Sequence, residues 1–115
     1  MILVIIRMKV PYEKRMELSQ TLDSLSVSIR MEKGCRLCEL CQSIEDKNRL
    51  FLLEEWDTQE DFKDHMKSKC FKVFRGATNL LREPYEMRFH TVFQPTGMEE
   101  INRESARAEF GKEAS

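Results

Sequence analysis

The sequence predicts one α+β domain in which two helices cover one face of a four-stranded antiparallel sheet. Three observations lead to this prediction. Apolar residues alternate or cluster in four short segments, they recur at helical spacing in two longer segments, and 115 residues are enough for one ordinary core. Only four glycines and three prolines interrupt the chain, which favours helices and strands over loops or disorder.

The first strand and the first helix occupy the N-terminal third of the chain. From Ile2 to Val10 both alternating faces are apolar, so we expect both faces of this strand to be covered. Pro11 can open the helix that follows, and Gly34 is a good C-terminal stop. The apolar stripe of this helix consists of Leu18, Leu22, Leu25 and Ile29.

A hairpin and a second helix come next. The strands run from Cys35 to Ser43 and from Arg49 to Trp56, with a polar turn at 45–48. Asp57 or Thr58 can cap the second helix, and Gly76 weakens its last turns, so we expect the helix to bend or end at that glycine. Its apolar stripe consists of Phe62, Met66, Val73, Ala77 and Leu80.

A fourth strand completes the domain. Pro84 ends the helical region, and the residues from Tyr85 to Phe93 alternate again. The order β-α-β-β-α-β is the ferredoxin-like plan, with both helices on one face of the sheet. We therefore expect the other face to be covered by a second copy of the chain in a homodimer. The domain spans residues 1–93, and residues 94–115 form a C-terminal tail or arm.

The composition excludes several classes of function. Nineteen Lys and Arg against twenty Asp and Glu give a net charge of −1, so the chain has no field to hold nucleic acid. No apolar run approaches the roughly 20 residues of a bilayer helix, and the opening run is too short for a signal peptide. We expect a soluble, cytoplasmic protein with no nucleic-acid or membrane partner.

The cysteines carry a spacing that hints at a metal. Cys35, Cys38 and Cys41 form C-x2-C-x2-C, and Cys70 is the remaining thiol. On a regular strand Cys35 and Cys41 share one face while Cys38 points to the other, which argues against a metal site unless a bulge near Cys38 changes the facing. We expect small buried side chains and no metal. A thiol-based redox or metal protein is a further hypothesis, ranked below the two that are described next.

Several short motifs occur together in the middle of the chain. They are, in chain order, Glu32-Lys33-Gly34-Cys35, Glu45-Asp46-Lys47-Asn48-Arg49, Glu54-Glu55-Trp56, Phe62, His65 and Phe71 to Phe74. With them the chain resembles the antibiotic-biosynthesis monooxygenase (ABM) family of dimeric α+β barrel proteins, over roughly residues 1–93. The most specific part is Glu-x-Trp at a strand end, followed nine residues after the Trp by a His.

The resemblance implies an oxygenase that needs no cofactor and acts on a small aromatic or quinol-like molecule, because the family includes such oxygenases of quinols and anthrones. A phenolic substrate with a pKa near ~10 becomes an electron-rich anion that can reduce O₂ without flavin or metal. The resemblance places the pocket on the helix-facing side of the sheet. It makes His65 the candidate catalytic base and Trp56 the candidate stacking partner of the substrate.

Three further residues are candidates for binding the substrate. Phe62 lies close to the motif, and the guanidinium groups of Arg7 and Arg88 could hold an anionic molecule. Structural roles are the alternative for every candidate: a hydrogen-bonded His65, a Trp56 that anchors the core or a dimer, and arginines paired across the sheet. The acidic partners available for such pairs are Glu39, Glu54 and Glu86.

The chain departs from the family pattern at several positions. Some family oxygenases place an Asn where this chain has Leu52 and a Tyr where it has Phe62. The heme-degrading branch places an Asn and a ligand His at positions that correspond here to Arg7 and Arg75, so heme degradation is disfavoured. The loss of the polar groups motivates the second hypothesis, a non-catalytic module of the same fold that binds or senses a small molecule.

Overall fold

The computed structural model describes residues 1–93 as a four-stranded antiparallel sheet with the strand order β2-β3-β1-β4 and with helices on one face. This confirms the predicted ferredoxin-like α+β class; the tail at 94–115 lies outside the described residues. No helix in the described part of the chain is long and apolar enough to cross a bilayer. The elements are β1 (Ile2–Lys9), a 3₁₀ turn (Tyr12–Lys14), α1 (Arg15–Arg30), β2 (Cys35–Gln42), β3 (Arg49–Trp56), α2 (Gln59–Met66), α3 (Lys69–Thr78) and β4 (Glu86–Thr91).

The core lies between the helices and one face of the sheet. Alternate residues of β1 and β3 are buried there, in register with one another, and the apolar stripe of α1 packs on them. On the other face the apolar side chains are only half-buried within one chain. The buried set from β1 is Ile2, Val4, Ile6 and Met8; the half-buried set on the open face includes Leu3, Ile5, Leu37, Phe51 and Leu53.

The second helical segment consists of two helices, and the predicted break at Gly76 is wrong. The Thr58 hydroxyl caps α2 as expected, because it accepts a hydrogen bond from the Asp61 N–H at 3.0 Å. The Ser68 hydroxyl accepts from the Phe71 N–H at 3.2 Å and so caps a new helix, α3, while Gly76 lies inside that helix. The Ser68 hydroxyl satisfies a backbone N–H that would otherwise have no partner, so a new helix begins there. A single exposed glycine costs a helix only about 1 kcal/mol relative to alanine, so α3 continues through Gly76.

A β-bulge changes the facing of the cysteines. The register between β2 and β3 shifts between Cys35 and Leu37, so Cys35 and Cys38 both pair with residues of β3 that face the helices. Cys41 pairs on the opposite face. The facing expected of a regular strand, which placed Cys35 with Cys41, is not observed, and the alternative left open by the sequence, a bulge that changes the facing, is the one the structure shows.

Candidate functional site

The imidazole of His65 lies in the interior between two carboxyl groups. His65 is 3% exposed on α2, its Nδ1 lies 3.0 Å from Glu32 Oε2, and its Nε2 lies 3.7 Å from Glu54 Oε1. A carboxylate oxygen can only accept, so the contact with Glu32 assigns the hydrogen to Nδ1. In the neutral imidazole this leaves the lone pair of Nε2 on the side of Glu54.

The turn after α1 brings Glu32 to His65. Gly34 in this turn has φ +82°, and a Cβ built on it would lie 2.2 Å from Asp61 Oδ2 on α2. Glycine therefore serves twice, because it adopts the left-handed conformation and lets the turn pack directly on α2. Residues 33 positions apart in the sequence meet as a result.

Trp56 contacts both His65 and Glu54. Its ring stacks on the His65 ring with the centroids 4.6 Å apart, and its Nε1–H donates to Glu54 Oε1 at 2.9 Å. Glu54 Oε2 is buried and has no hydrogen-bond partner among the described residues. Burial raises the pKa of Glu54 above the ordinary value of a glutamate, although the nearby imidazole and the Trp56 hydrogen bond oppose this rise.

A cavity of about 280 Å³ opens beside this cluster, between α2 and the edge of the sheet. Phe62 forms part of its wall and joins it to the cluster, since its ring centroid is 6.5 Å from Trp56 and 5.6 Å from Phe89. Neither Trp56 nor His65 lines the cavity. Its apolar walls are Ile2, Phe62, Met66 and Phe89, and its polar lining is Gln59, Lys63 and Thr91.

Two polar residues of the cavity, Lys63 and Gln59, were not among the residues predicted for the site. Helical spacing from Phe62 was the available signal, because Gln59 and Met66 lie one turn to either side of Phe62 on the same face of α2. Lys63 is the cation on this wall of the cavity.

Arg7 and Arg88 lie elsewhere. They occupy the open face of the sheet, and the structure does not bring them together with His65. Arg7 pairs with Glu86 at 3.7 Å and lies over the Phe51 ring, while Arg88 is 3.9 Å from the same Glu86. Of the three predicted acidic partners, Glu86 is therefore the one that both arginines approach, whereas Glu54 faces the helices.

Two of the cysteines, Cys35 and Cys38, face the helices and are held in the protonated form. Burial raises the pKa of Cys35 to about 11, and burial also raises the pKa of Cys38. Both therefore stay thiols at neutral pH, whereas nucleophiles and metal ligands are thiolates. Within residues 1–93 no group of three or more His, Cys, Asp or Glu side chains could hold a metal ion.

Comparisons with known proteins agree on one family. The model of the antibiotic biosynthesis monooxygenase family matches residues 1–77. A candidate antibiotic biosynthesis monooxygenase from Nitrosomonas europaea is similar in structure, with a TM-score of 0.76 and 19% identity over 82% of this chain and 100% of that one. A conserved protein from Methanosarcina mazei Go1 has a TM-score of 0.76 and 27% identity over 80% of this chain and 92% of that one. No curated protein matches the sequence.

Proposed function

Because this chain belongs to the antibiotic biosynthesis monooxygenase family, we propose that it is a monooxygenase that uses no cofactor and oxidises a small aromatic or quinol-like molecule with O₂. The observation that carries the proposal is the cavity beside Phe62. Its volume of about 280 Å³ is near the lower end of the roughly 300–1,000 Å³ of small-molecule sites, which suits a molecule of one to three rings.

The lining of the cavity fits an aromatic molecule that becomes an anion. Phe62 and Phe89 offer ring surfaces, and Ile2 and Met66 complete an apolar wall. The Lys63 ammonium lies where it can stabilise a phenolate or an enolate, because an opposite charge near a buried anion lowers the free energy of that anion.

The reaction takes its electrons from the substrate. A proton leaves the substrate, and the resulting carbanion adds O₂ to form a C–O bond and a peroxide. The peroxide takes up a proton to become a hydroperoxide, and loss of the second proton from the same carbon then breaks the O–O bond, which leaves a carbonyl on the product and releases hydroxide. The hydroxide takes up a proton and leaves as water, so one oxygen atom of O₂ ends in the product and one in water.

His65 is the proton acceptor in this proposal, and Trp56 orients it by stacking. The Nε2 lone pair is the accepting site. Since neither ring lines the cavity, the proposal requires the Phe62 ring, which separates the cavity from Trp56, to move when a substrate binds. The two arginines of the open face have no part in this chemistry.

Oxygen uptake with a panel of hydroquinones, naphthoquinols and anthrones tests the proposal. We expect uptake that depends on the protein, and kcat/KM lowered about tenfold, or about 1.4 kcal/mol, in Lys63→Met. Lys72→Met is the matched control, because Lys72 is exposed on α3 and does not line this cavity. Absence of uptake with every member of the panel would overturn the proposal.

One observation favours a second candidate, the non-catalytic binding module. Both ring nitrogens of His65 face carboxyl groups and His65 lines no part of this cavity, as a structural histidine would. Trp56 is the only tryptophan, so its fluorescence reports on ligands next to Phe62. Fluorescence changes on addition of phenols without any uptake of O₂ would support the module in place of the oxygenase.

A further inference from the structure

The buried carboxyl group of Glu54 has no role in the reaction described above. Glu54 is 1% exposed, and only one of its two oxygens has a hydrogen-bond partner. An ionised carboxylate here would leave a charged oxygen unpaired in the core, which is strongly unfavourable because a buried charge loses its hydration without a compensating partner. A neutral carboxylic acid, with Oε1 accepting from Trp56 and the hydrogen on Oε2, replaces that cost with the smaller one of an unpaired hydroxyl.

The distances around His65 support the neutral form of Glu54. An ionised imidazolium–carboxylate pair contracts to a hydrogen bond of about 2.7–2.9 Å. Glu32 is 3.0 Å from Nδ1, but Glu54 Oε1 is 3.7 Å from Nε2, beyond hydrogen-bond range. Thus His65 is hydrogen-bonded to Glu32 and stands beside, but is not ion-paired with, Glu54.

The other groups around Glu54 supply no free positive charge. Cys35 and Cys38 face it from β2 as neutral thiols. The Arg30 guanidinium on α1 donates from Nε to the backbone carbonyl of Cys38 at 2.8 Å. From α3, Cys70 lies near Glu32. Among residues 1–93, the imidazole is therefore the group placed to exchange a proton with Glu54.

We propose that Glu54, His65 and Glu32 form a proton relay, in which Glu54 stores a proton at neutral pH and Glu32 exchanges protons with water. The Glu32 side chain is 21% exposed, whereas those of His65 and Glu54 are 2% and 1% exposed. In the outward direction the Glu54 carboxyl group first turns to close the 3.7 Å gap between Oε1 and Nε2, so that its O–H can give a proton to Nε2. Nδ1–H then gives its proton to the Glu32 carboxylate, and Glu32 releases a proton to water. The reverse steps refill Glu54, and no electrons move.

The catalytic use of the relay, which is to bring a proton to the departing hydroxide through Nε2, rests on the proposed function. The resting protonation states do not depend on it. Glu54 and Glu32 are thus positioning residues that act through His65.

Carbon-13 NMR of protein labelled at the glutamate side-chain carboxyl carbons tests the storage of the proton. At pH 7 we expect one signal at the shift of a neutral acid, absent in Glu54→Gln and present in Glu55→Gln. Glu55 is the matched control because it is the next residue on β3 and faces the opposite side of the sheet. If every glutamate signal is that of an ionised carboxylate at pH 7, the relay is refuted.

Nitrogen-15 NMR of the two histidines tests the assigned tautomer independently. We expect His65 at pH 7 to carry hydrogen on Nδ1 only, while the exposed His90 serves as an internal reference. An imidazolium at His65 at pH 7 would contradict a proton stored on Glu54. Both spectra are recorded on the protein without substrate. A negative result in them refutes the stored proton, whereas absence of O₂ uptake refutes the proposed oxygenase function.

Kinetics then test the use of the relay. With any substrate that supports O₂ uptake, Glu54→Gln and Glu32→Gln should each lower kcat about a hundredfold at little change in KM, and should remove the acid limb of the pH profile. Glu55→Gln should leave both unchanged. Unchanged kcat in both relay variants would show that the stored proton is not used.

Discussion

The environment of Glu54 ties the stability of the fold to pH. Its pKa is raised in the folded protein, chiefly by burial, so the folded state binds this proton more tightly than the unfolded state does. As pH rises above the ordinary glutamate pKa of about 4.3, the unfolded chain loses this proton first and folding becomes less favourable.

The variant Glu54→Gln should therefore be more stable than the wild type at pH 8, and the difference should shrink towards pH 4. Glutamine keeps an oxygen that can accept from Trp56 Nε1 but cannot ionise. Melting temperatures of both proteins between pH 4 and pH 8 check this. Glu55→Gln should show no such trend, and a gap that grows towards acid pH would contradict the raised pKa.

The sequence identified the aromatic and histidine side chains of the site but not its carboxyl groups. Trp56, Phe62 and His65 follow from one short motif on β3 and α2. Glu54 could have been inferred, because it lies two residues from Trp56 and so faces the same side of the strand. The contact of Glu32 with His65 could not, since it depends on how a turn packs against a helix distant in sequence.

Among the elements, strands were more predictable than helix breaks and bulges. The predicted bounds of β3, Arg49 to Trp56, are those observed, because consecutive apolar residues end at a clear capping signal. The bulge in β2 leaves no mark in a run such as Cys35 to Gln42, since both registers place apolar side chains on each face. The start of α3 at Ser68 was missed because the apolar stripe continues across the break.

Substitution by alanine should change the free energy of unfolding in opposite directions at Gly34, in the turn before β2, and at Gly76, in α3. Gly34→Ala forces a left-handed conformation on alanine and drives its Cβ into the Asp61 carboxylate, so we expect a loss of about 2 kcal/mol. Gly76→Ala has no heavy atom within 4 Å of the new Cβ and should stabilise α3 by about 1 kcal/mol. Urea unfolding measures both.

A Gly34→Ala variant as stable as the wild type would mean that the turn does not pack on α2 as described. Since that turn carries Glu32, the same variant should also weaken the hydrogen bond to His65. Gly76→Ala is the internal control, because it lies far from this contact in the sequence and inside α3.

At the scale of the whole molecule, the open face of the sheet leads us to propose a homodimer. Its apolar side chains are only half-buried in one chain, and a two-fold partner is the simplest cover. Light scattering should give twice the chain mass of 13.7 kDa. Ile5→Glu on this face should weaken association at least about a hundredfold, because it places an unpaired charge in the interface.

Val73→Glu is the matched control for the dimer, since Val73 is an exposed apolar residue on α3, away from the sheet. It should leave the mass unchanged. A wild-type protein that scatters as a single chain at tens of micromolar would contradict the homodimer.

The topology of a single chain could be predicted from sequence patterns, but the identity of what covers an apolar face could not.

The claim that the whole molecule is a cofactor-independent monooxygenase is tested most directly with ¹⁸O₂. Protein freed of metals by chelation is incubated with an anthrone that supports O₂ uptake, and the product is analysed by mass spectrometry. Oxygenation by the protein without a cofactor predicts one ¹⁸O atom in each product molecule and one in water, at a rate set by the protein concentration. Product without label, or label gained equally fast without protein, would contradict it.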